Sequence, residues 1–106
     1  MKKIMKMIDD FNTEREWHQF HTPANLAKSI VIEASELLEL FQWQDQPKSL
    51  DNLKEELADV LSYCLMLAQH YDLDLEEILE AKIKKNALKY PTDKAKGRSE
   101  KYDEFD

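Results

Sequence analysis

The sequence predicts an all-α fold, a four-helix-bundle-like protomer, and three observations carry that prediction. The first is composition: one glycine and three prolines in 106 residues are too few for the many tight turns of an all-β domain. The second is periodicity, because apolar residues recur three and four positions apart along successive stretches of the chain. The third is punctuation: Thr22-Pro23 and Asp74 with Glu77 are helix starts, and Pro91 is a stop. With 42% hydrophobic and 35% charged residues, the chain has the balance of one soluble globular domain. Residues 1–91 read as that helical domain and residues 92–106 as a polar tail, in which Lys101-Tyr102 is the one feature that stands out.

The first helix runs from Lys2 to about Glu16, with Ile4, Met7, Ile8 and Phe11 on one apolar face. Thr13 and Glu16 have capping-box spacing, which would restart or bend the helix there. The connection Trp17 to Thr22 is too rich in aromatic and imidazole groups to be simply solvated. It packs on the core or lines a pocket. His18 and His21 are spaced like a helical metal pair, but Pro23 follows and no cysteine stands near, so zinc is not the reading. The second helix runs from Pro23 to about Gln42, and its polar face is narrow. A helix so apolar in a chain this short calls for burial by another subunit as well. The third begins near Ser49 or Leu50, reaches about Tyr71, and is apolar on nearly all sides from Val60 to Ala68. The fourth starts after the N-cap Asp74 and ends at Lys89 or Tyr90, with Lys82, Lys84, Lys85 and Lys89 crowding its last turns as the helix dipole favours.

Two acidic pairs interrupt this pattern. Glu33 and Glu36 on the second helix, and Glu56 and Asp59 on the third, are each spaced i, i+3 and so share one side of a helix. Glu33 points with Leu26, Ile30, Leu37 and Leu40, and Glu56 with Leu53, Val60, Tyr63 and Leu67. Glu36 and Asp59 lie at the edges of those arcs. Carboxylates inside a core stripe must take up protons or bind cations, because burying them unpaired costs many kcal/mol. Four carboxylates give all-oxygen ligation, which suits Mg²⁺, with Mn²⁺ possible, rather than zinc. A ferritin-like iron site would need Glu-x-x-His pairs, and none of the histidines follows a glutamate at that spacing.

Bulk properties exclude other classes. A net charge of −7 argues against a nucleic-acid partner, though a divalent cation can still draw an anionic ligand to an acidic protein. The lone glycine, Gly97, rules out a glycine-rich phosphate loop. Cys64 has no disulfide partner within the chain, which fits a reducing compartment. No segment is apolar enough to span a membrane, and the N-terminus lacks the apolar run of a signal peptide. Cytoplasmic placement is the expectation.

Three runs of residues carry a resemblance: HTPANLAKSIVIEASELLELFQW (His21 to Trp43), EELADVLSYCLMLA (Glu55 to Ala68) and AKIKKNALKYP (Ala81 to Pro91). Together they resemble the all-α nucleoside triphosphate pyrophosphohydrolases, most of all the MazG-like and dCTP pyrophosphatase branch. The resemblance implies that Glu33, Glu36, Glu56 and Asp59 are the Mg²⁺ ligands. The first acidic position of the fuller E-E-x-x-E signature is Ile32 here, as in the dCTP pyrophosphatase branch, which leaves a smaller acidic set. It further implies that Trp17 and Trp43 line the nucleobase pocket, and that Lys82 and Asn86 contact phosphate. Tyr63, one turn past Asp59, is placed to reach sugar or phosphate, and His21 is a polar group for the ligand. The implied reaction is hydrolysis of a (deoxy)nucleoside triphosphate, dCTP-like or modified, to monophosphate and pyrophosphate, with Glu33 or Glu36 handling the water. The implied assembly is a homotetramer built as a dimer of dimers. Two alternatives stay open: another substrate within the same superfamily (dUTP or phosphoribosyl-ATP), and a non-catalytic helical interaction module.

Overall fold

The computed structural model describes residues 1–99, all of it helix and turn, so the Lys101-Tyr102 pair lies outside the described residues. Its elements are α1 (Lys2–Glu14), a single 3-10 turn (His18–Phe20), α2 (Pro23–Glu39), α3 (Leu50–His70), α4 (Leu75–Lys89) and the short α5 (Thr92–Ala95). The chain divides into two compact units, the first Met1–Leu73 and the second from Asp74 onward.

The starts of the helices follow from side-chain caps. Thr22 accepts the Asn25 backbone N–H at 3.2 Å, and Pro23 takes the first helical position, where its missing N–H is no loss. Ser49 caps α3 through Asn52 at 3.1 Å. Asp74 caps α4 through Glu76 and Glu77 at 2.9 and 3.3 Å. The Asn25 side chain also donates to the Phe20 carbonyl at 3.0 Å, which fastens the connection to the start of α2.

The ends depart from the sequence reading in instructive ways. Thr13 and Glu16 do not restart a helix; they finish one. Glu16 adopts the left-handed conformation (φ 55°), its N–H bonds to the Thr13 carbonyl, and the Trp17 N–H bonds back to the Asn12 carbonyl at 3.0 Å. This is a Schellman termination with a glutamate where glycine is the usual residue. The Thr13 hydroxyl pairs with His18 Nε2 instead. The end of α3 repeats the arrangement, with Asp72 left-handed (φ 54°) and Leu73 bonded back to Ala68 at 2.9 Å. Helix α2 stops at Glu39, short of the expected Gln42. From Leu40 to Gln42 the N–H groups bond three residues back rather than four, which tightens the chain into turns that carry Trp43.

In the first unit α2 packs along α3, and α1 lies against α3. Among the described residues the buried side chains are few: Leu26, Leu65, Ala68 and Asn12. Asn12 is 2% exposed, and its side-chain amide donates to the Met66 sulfur at 3.6 Å. Large apolar side chains stay exposed on the paired helices, among them Val31 and Leu38 on α2 and Leu61 on α3. The sequence reading that α2 is apolar beyond what one chain buries holds here. Among the described residues no helix is long and apolar enough to cross a membrane.

Candidate functional site

The α2–α3 contact brings the acidic pairs together. Carboxylate oxygens of Glu33, Glu56 and Asp59 lie within 4.8 Å of one another. Glu36 completes the set: it lies close enough to Glu33 and Glu56 to raise the pKa of both. Each pair divides the same way. Glu33 and Glu56 are partly buried, whereas Glu36 and Asp59 face outward. Oε2 of Glu33 and Oε2 of Glu56 are buried without any hydrogen-bond partner. A buried carboxylate oxygen left so is a costly arrangement that a cation relieves.

The electrostatics agree with the geometry. Loss of solvent pushes the Glu33 carboxyl up to about 7, helped by the hydrogen bond to Glu36 and by the charges of Glu36, Asp59 and Glu56. Every charge acting on it is negative, the signature of a like-charge cluster. Glu56 is raised as well, by burial first and then by Glu36 and Asp59. Tyr63, one turn beyond Asp59, has its hydroxyl raised by burial and by Glu33, Asp59 and Glu36, so the phenol keeps its proton beside the cluster. His21 stands behind Tyr63, ring edge to ring face, with centroids 6.4 Å apart. Burial and the neighbouring His18 lower its pKa, so the ring is neutral.

The donor set fits a hard divalent cation: carboxylate oxygens, two of them buried and unsatisfied, with no nitrogen or sulfur ligand among them. Glu33, Glu56 and Asp59 would hold it, with Glu36 in reach. Trp17 is 44% exposed and packs edge-on against Phe11, centroids 5.6 Å apart. Trp43 is 84% exposed on the turns after α2. Lys82 and Asn86 are exposed on α4, in the second unit, one turn apart.

With that arrangement in hand, comparison with known proteins is direct. Residues 28–105 match the model of the MazG-like family. The chain belongs to the MazG-like family. Among its MazG-like relatives, dCTP pyrophosphatase 1 of Rattus norvegicus is 38% identical over 111 aligned residues, which cover 96% of this chain and 65% of the rat protein. The chain thus spans slightly less than two thirds of that relative. The Homo sapiens dCTP pyrophosphatase 1 is 37% identical, with 99% of this chain and 67% of the human protein aligned. The crystal structure of a pyrophosphatase from Archaeoglobus fulgidus superposes with a TM-score of 0.77 at 38% identity, covering 86% of this chain and 92% of that one. The MazG-like helices and their acidic pairs are therefore set in a fold that a solved pyrophosphatase shares.

One cluster escaped the sequence reading. A cavity of about 210 Å³ is lined by Asp9, Asn12, His18, His21 and His70, among others. The i, i+3 spacing of His18 and His21 was the available signal. Asp9 and His70 join them only through the packing of α1 on α3.

Proposed function

We propose that this chain hydrolyses a (deoxy)nucleoside triphosphate to the monophosphate and pyrophosphate, using Mg²⁺ or Mn²⁺ held by Glu33, Glu36, Glu56 and Asp59. The observation that carries the reading is the pair of buried, partnerless carboxylate oxygens of Glu33 and Glu56. The relatives, both dCTP pyrophosphatases by name, support dCTP as the substrate class, and a modified deoxynucleotide like it is the second candidate.

Bound divalent metal supplies charge screening for the triphosphate and lowers the pKa of water. The chain's own residues do the rest. The carboxylates of α2 and α3 would hold the ion, since their oxygens already lie within 4.8 Å of one another. Glu33 or Glu36, ionised once the cluster is neutralised, takes the proton of the attacking water. Tyr63, held protonated, donates to sugar or phosphate, with His21 backing its ring and adding a polar contact to the ligand. Trp17 and Trp43 offer flat exposed faces for stacking on a base. Lys82 and Asn86 steady the departing pyrophosphate. The exposed apolar side chains of α2 and α3 support assembly, which we assign as a homotetramer of two dimers. The net charge of −7 argues against nucleic acid, a bound divalent cation would draw the anionic substrate to the acidic site, and the lone Cys64 supports a cytoplasmic setting.

The test is a pyrophosphate-release screen across normal and modified deoxynucleoside triphosphates, dUTP and phosphoribosyl-ATP, with and without Mg²⁺. Metal-dependent release, greatest with a cytosine nucleotide, is the expected result. No release from any of them would leave a helical interaction module as the better account.

A further inference from the structure

The 3-10 turn between α1 and α2 is flanked by two side chains of the proposed substrate pocket, Trp17 before it and His21 after it. Its backbone is closed on itself. The Phe20 N–H bonds to the Trp17 carbonyl at 2.9 Å, and the His21 N–H to the His18 carbonyl at 3.1 Å. A turn tied in this way moves as one piece, so the placement of His18 sets that of His21. His18 is itself held by α1. Its Nε2 lies 3.1 Å from Asp9 Oδ1 and 3.1 Å from Thr13 Oγ1. Asp9 and Thr13 are spaced i, i+4 and stand side by side on that helix. An ionised carboxylate accepts and cannot donate, so it selects the forms of the ring that carry hydrogen on Nε2. That one N–H then points between two oxygens.

His21 has no such anchor at Nδ1, which is buried with no hydrogen-bond partner. Its ring rests instead against other rings, nearly perpendicular to both, with centroids 6.5 Å from His18 and 6.4 Å from Tyr63. Tyr63 stands beside the acidic group. The contacts form one chain: Asp9 and Thr13 hold His18, His18 sets the turn, and the turn presents His21 to Tyr63.

We propose that Asp9 and His18 are a positioning pair for the substrate pocket, which keeps His21 against Tyr63 so that the two side chains meet the nucleotide together. That these rings bind a nucleotide rests on the hydrolase reading above, whereas what holds them rests on the contacts alone. Both members of the pair are about half exposed. Their contact is therefore screened by solvent, and it tunes binding without being a condition of folding.

The test takes two readouts on the full chain. The first needs no turnover: proton NMR follows the through-space contact between the His21 and Tyr63 rings. That contact should be present in the wild type and weakened in His18→Ala and in Asp9→Ala. It should return in His18→Gln, whose amide N–H can reach the same oxygens, and persist in Asp9→Asn, which keeps an accepting oxygen. The second readout is dCTP hydrolysis with Mg²⁺ in excess. In either alanine variant KM should rise about two- to fivefold, the scale of one solvent-screened ion pair, with kcat unchanged. The double variant Asp9→Ala/His18→Ala should be no worse than His18→Ala, because both members serve one contact. Melting curves confirm that the variants stay folded. An undisturbed ring contact in His18→Ala overturns the proposal, and so does a double variant in which the two effects simply add. Rings that separate as expected in a chain that turns over no nucleotide keep the positioning role and remove the hydrolase reading instead.

Discussion

Two clusters of ionisable side chains share one face of α3, and they differ in what the fold has done with them. Glu56, Asp59, Tyr63, Met66 and His70 follow one another at helical spacing along that face. At the first end lies the acidic group, where oxygens of Glu33 and Glu56 are buried without partners and the carboxyls repel one another. At the other end lies the histidine cavity, where Asp9 and His18 already pair at 3.1 Å and both are about half exposed. The first cluster is a frustrated site held rigidly by packed helices. The second is relaxed, and a ligand would have to compete with interactions already made. The difference teaches that the acidic end leaves buried oxygens for a ligand to satisfy, while Asp9 and His18 at the imidazole end already satisfy one another.

Five substitutions and a pH titration break or sharpen this contrast. The largest effect belongs to the acidic end. In Glu56→Gln, losing a ligand to the cation costs several kcal/mol of charge stabilisation, about a thousandfold in pyrophosphate release. Metal-free stability at pH 8, by contrast, should rise, because a repelling buried charge is gone. A lower melting temperature for the metal-free variant would argue that Glu56 has a structural partner.

Leu26 comes next. It is 2% exposed and also lines the histidine cavity. Leu26→Ala should cost about 3 kcal/mol in a denaturant titration. A cost under about 1 kcal/mol would mean that α2 and α3 are held chiefly by contacts outside this protomer.

The pH dependence follows from Glu33. Its folded pKa of about 7 stands above the ordinary 4.5, so between those values the folded state binds more protons than the unfolded one. The stabilising contribution is full below pH 4.5 and is lost as pH rises through 7. The metal-free protein should therefore melt at lower temperature as pH climbs through that window. Mg²⁺ should remove the decline, and Glu33→Gln should flatten it without metal. An unchanged slope in Glu33→Gln would place the titration elsewhere.

Tyr63 lies between the clusters. If Tyr63 donates to the substrate as proposed, Tyr63→Phe should raise KM by about tenfold or less, with Mg²⁺ affinity unchanged. A loss of Mg²⁺ affinity would show that the phenol serves the ion instead. The smallest effect concerns a helix end: Glu16 is left-handed, and Glu16→Gly should stabilise by about 1 kcal/mol. A destabilised variant would mean that the Glu16 side chain holds the connection in a way its backbone does not.

Much of this was legible in the sequence, for physical reasons that can be named. Helix starts were clear because Thr22, Pro23 and Asp74 act within one turn of themselves. Helix ends were less so. Thr13 and Glu16 fit a capping box and a Schellman stop alike, and the choice depends on where Trp17 and His18 find partners. The acidic group was legible because Glu33 and Glu56 violate an apolar stripe, and such a violation has few cheap resolutions. Tyr63 followed from its register with Asp59. The histidine cavity was not legible, since Asp9 and His70 are far apart in sequence and only the packing of α1 on α3 joins them.

The central claim is that the acidic centre serves a metal-dependent attack on a nucleoside triphosphate. The most direct measurement follows dCTP by phosphorus NMR with the purified chain while Mg²⁺ is added. The account predicts dCMP and pyrophosphate in equal amounts, no product without metal, and none from Glu56→Gln on the same timescale. Formation of dCDP and orthophosphate, or turnover that Glu56→Gln leaves intact, would contradict it.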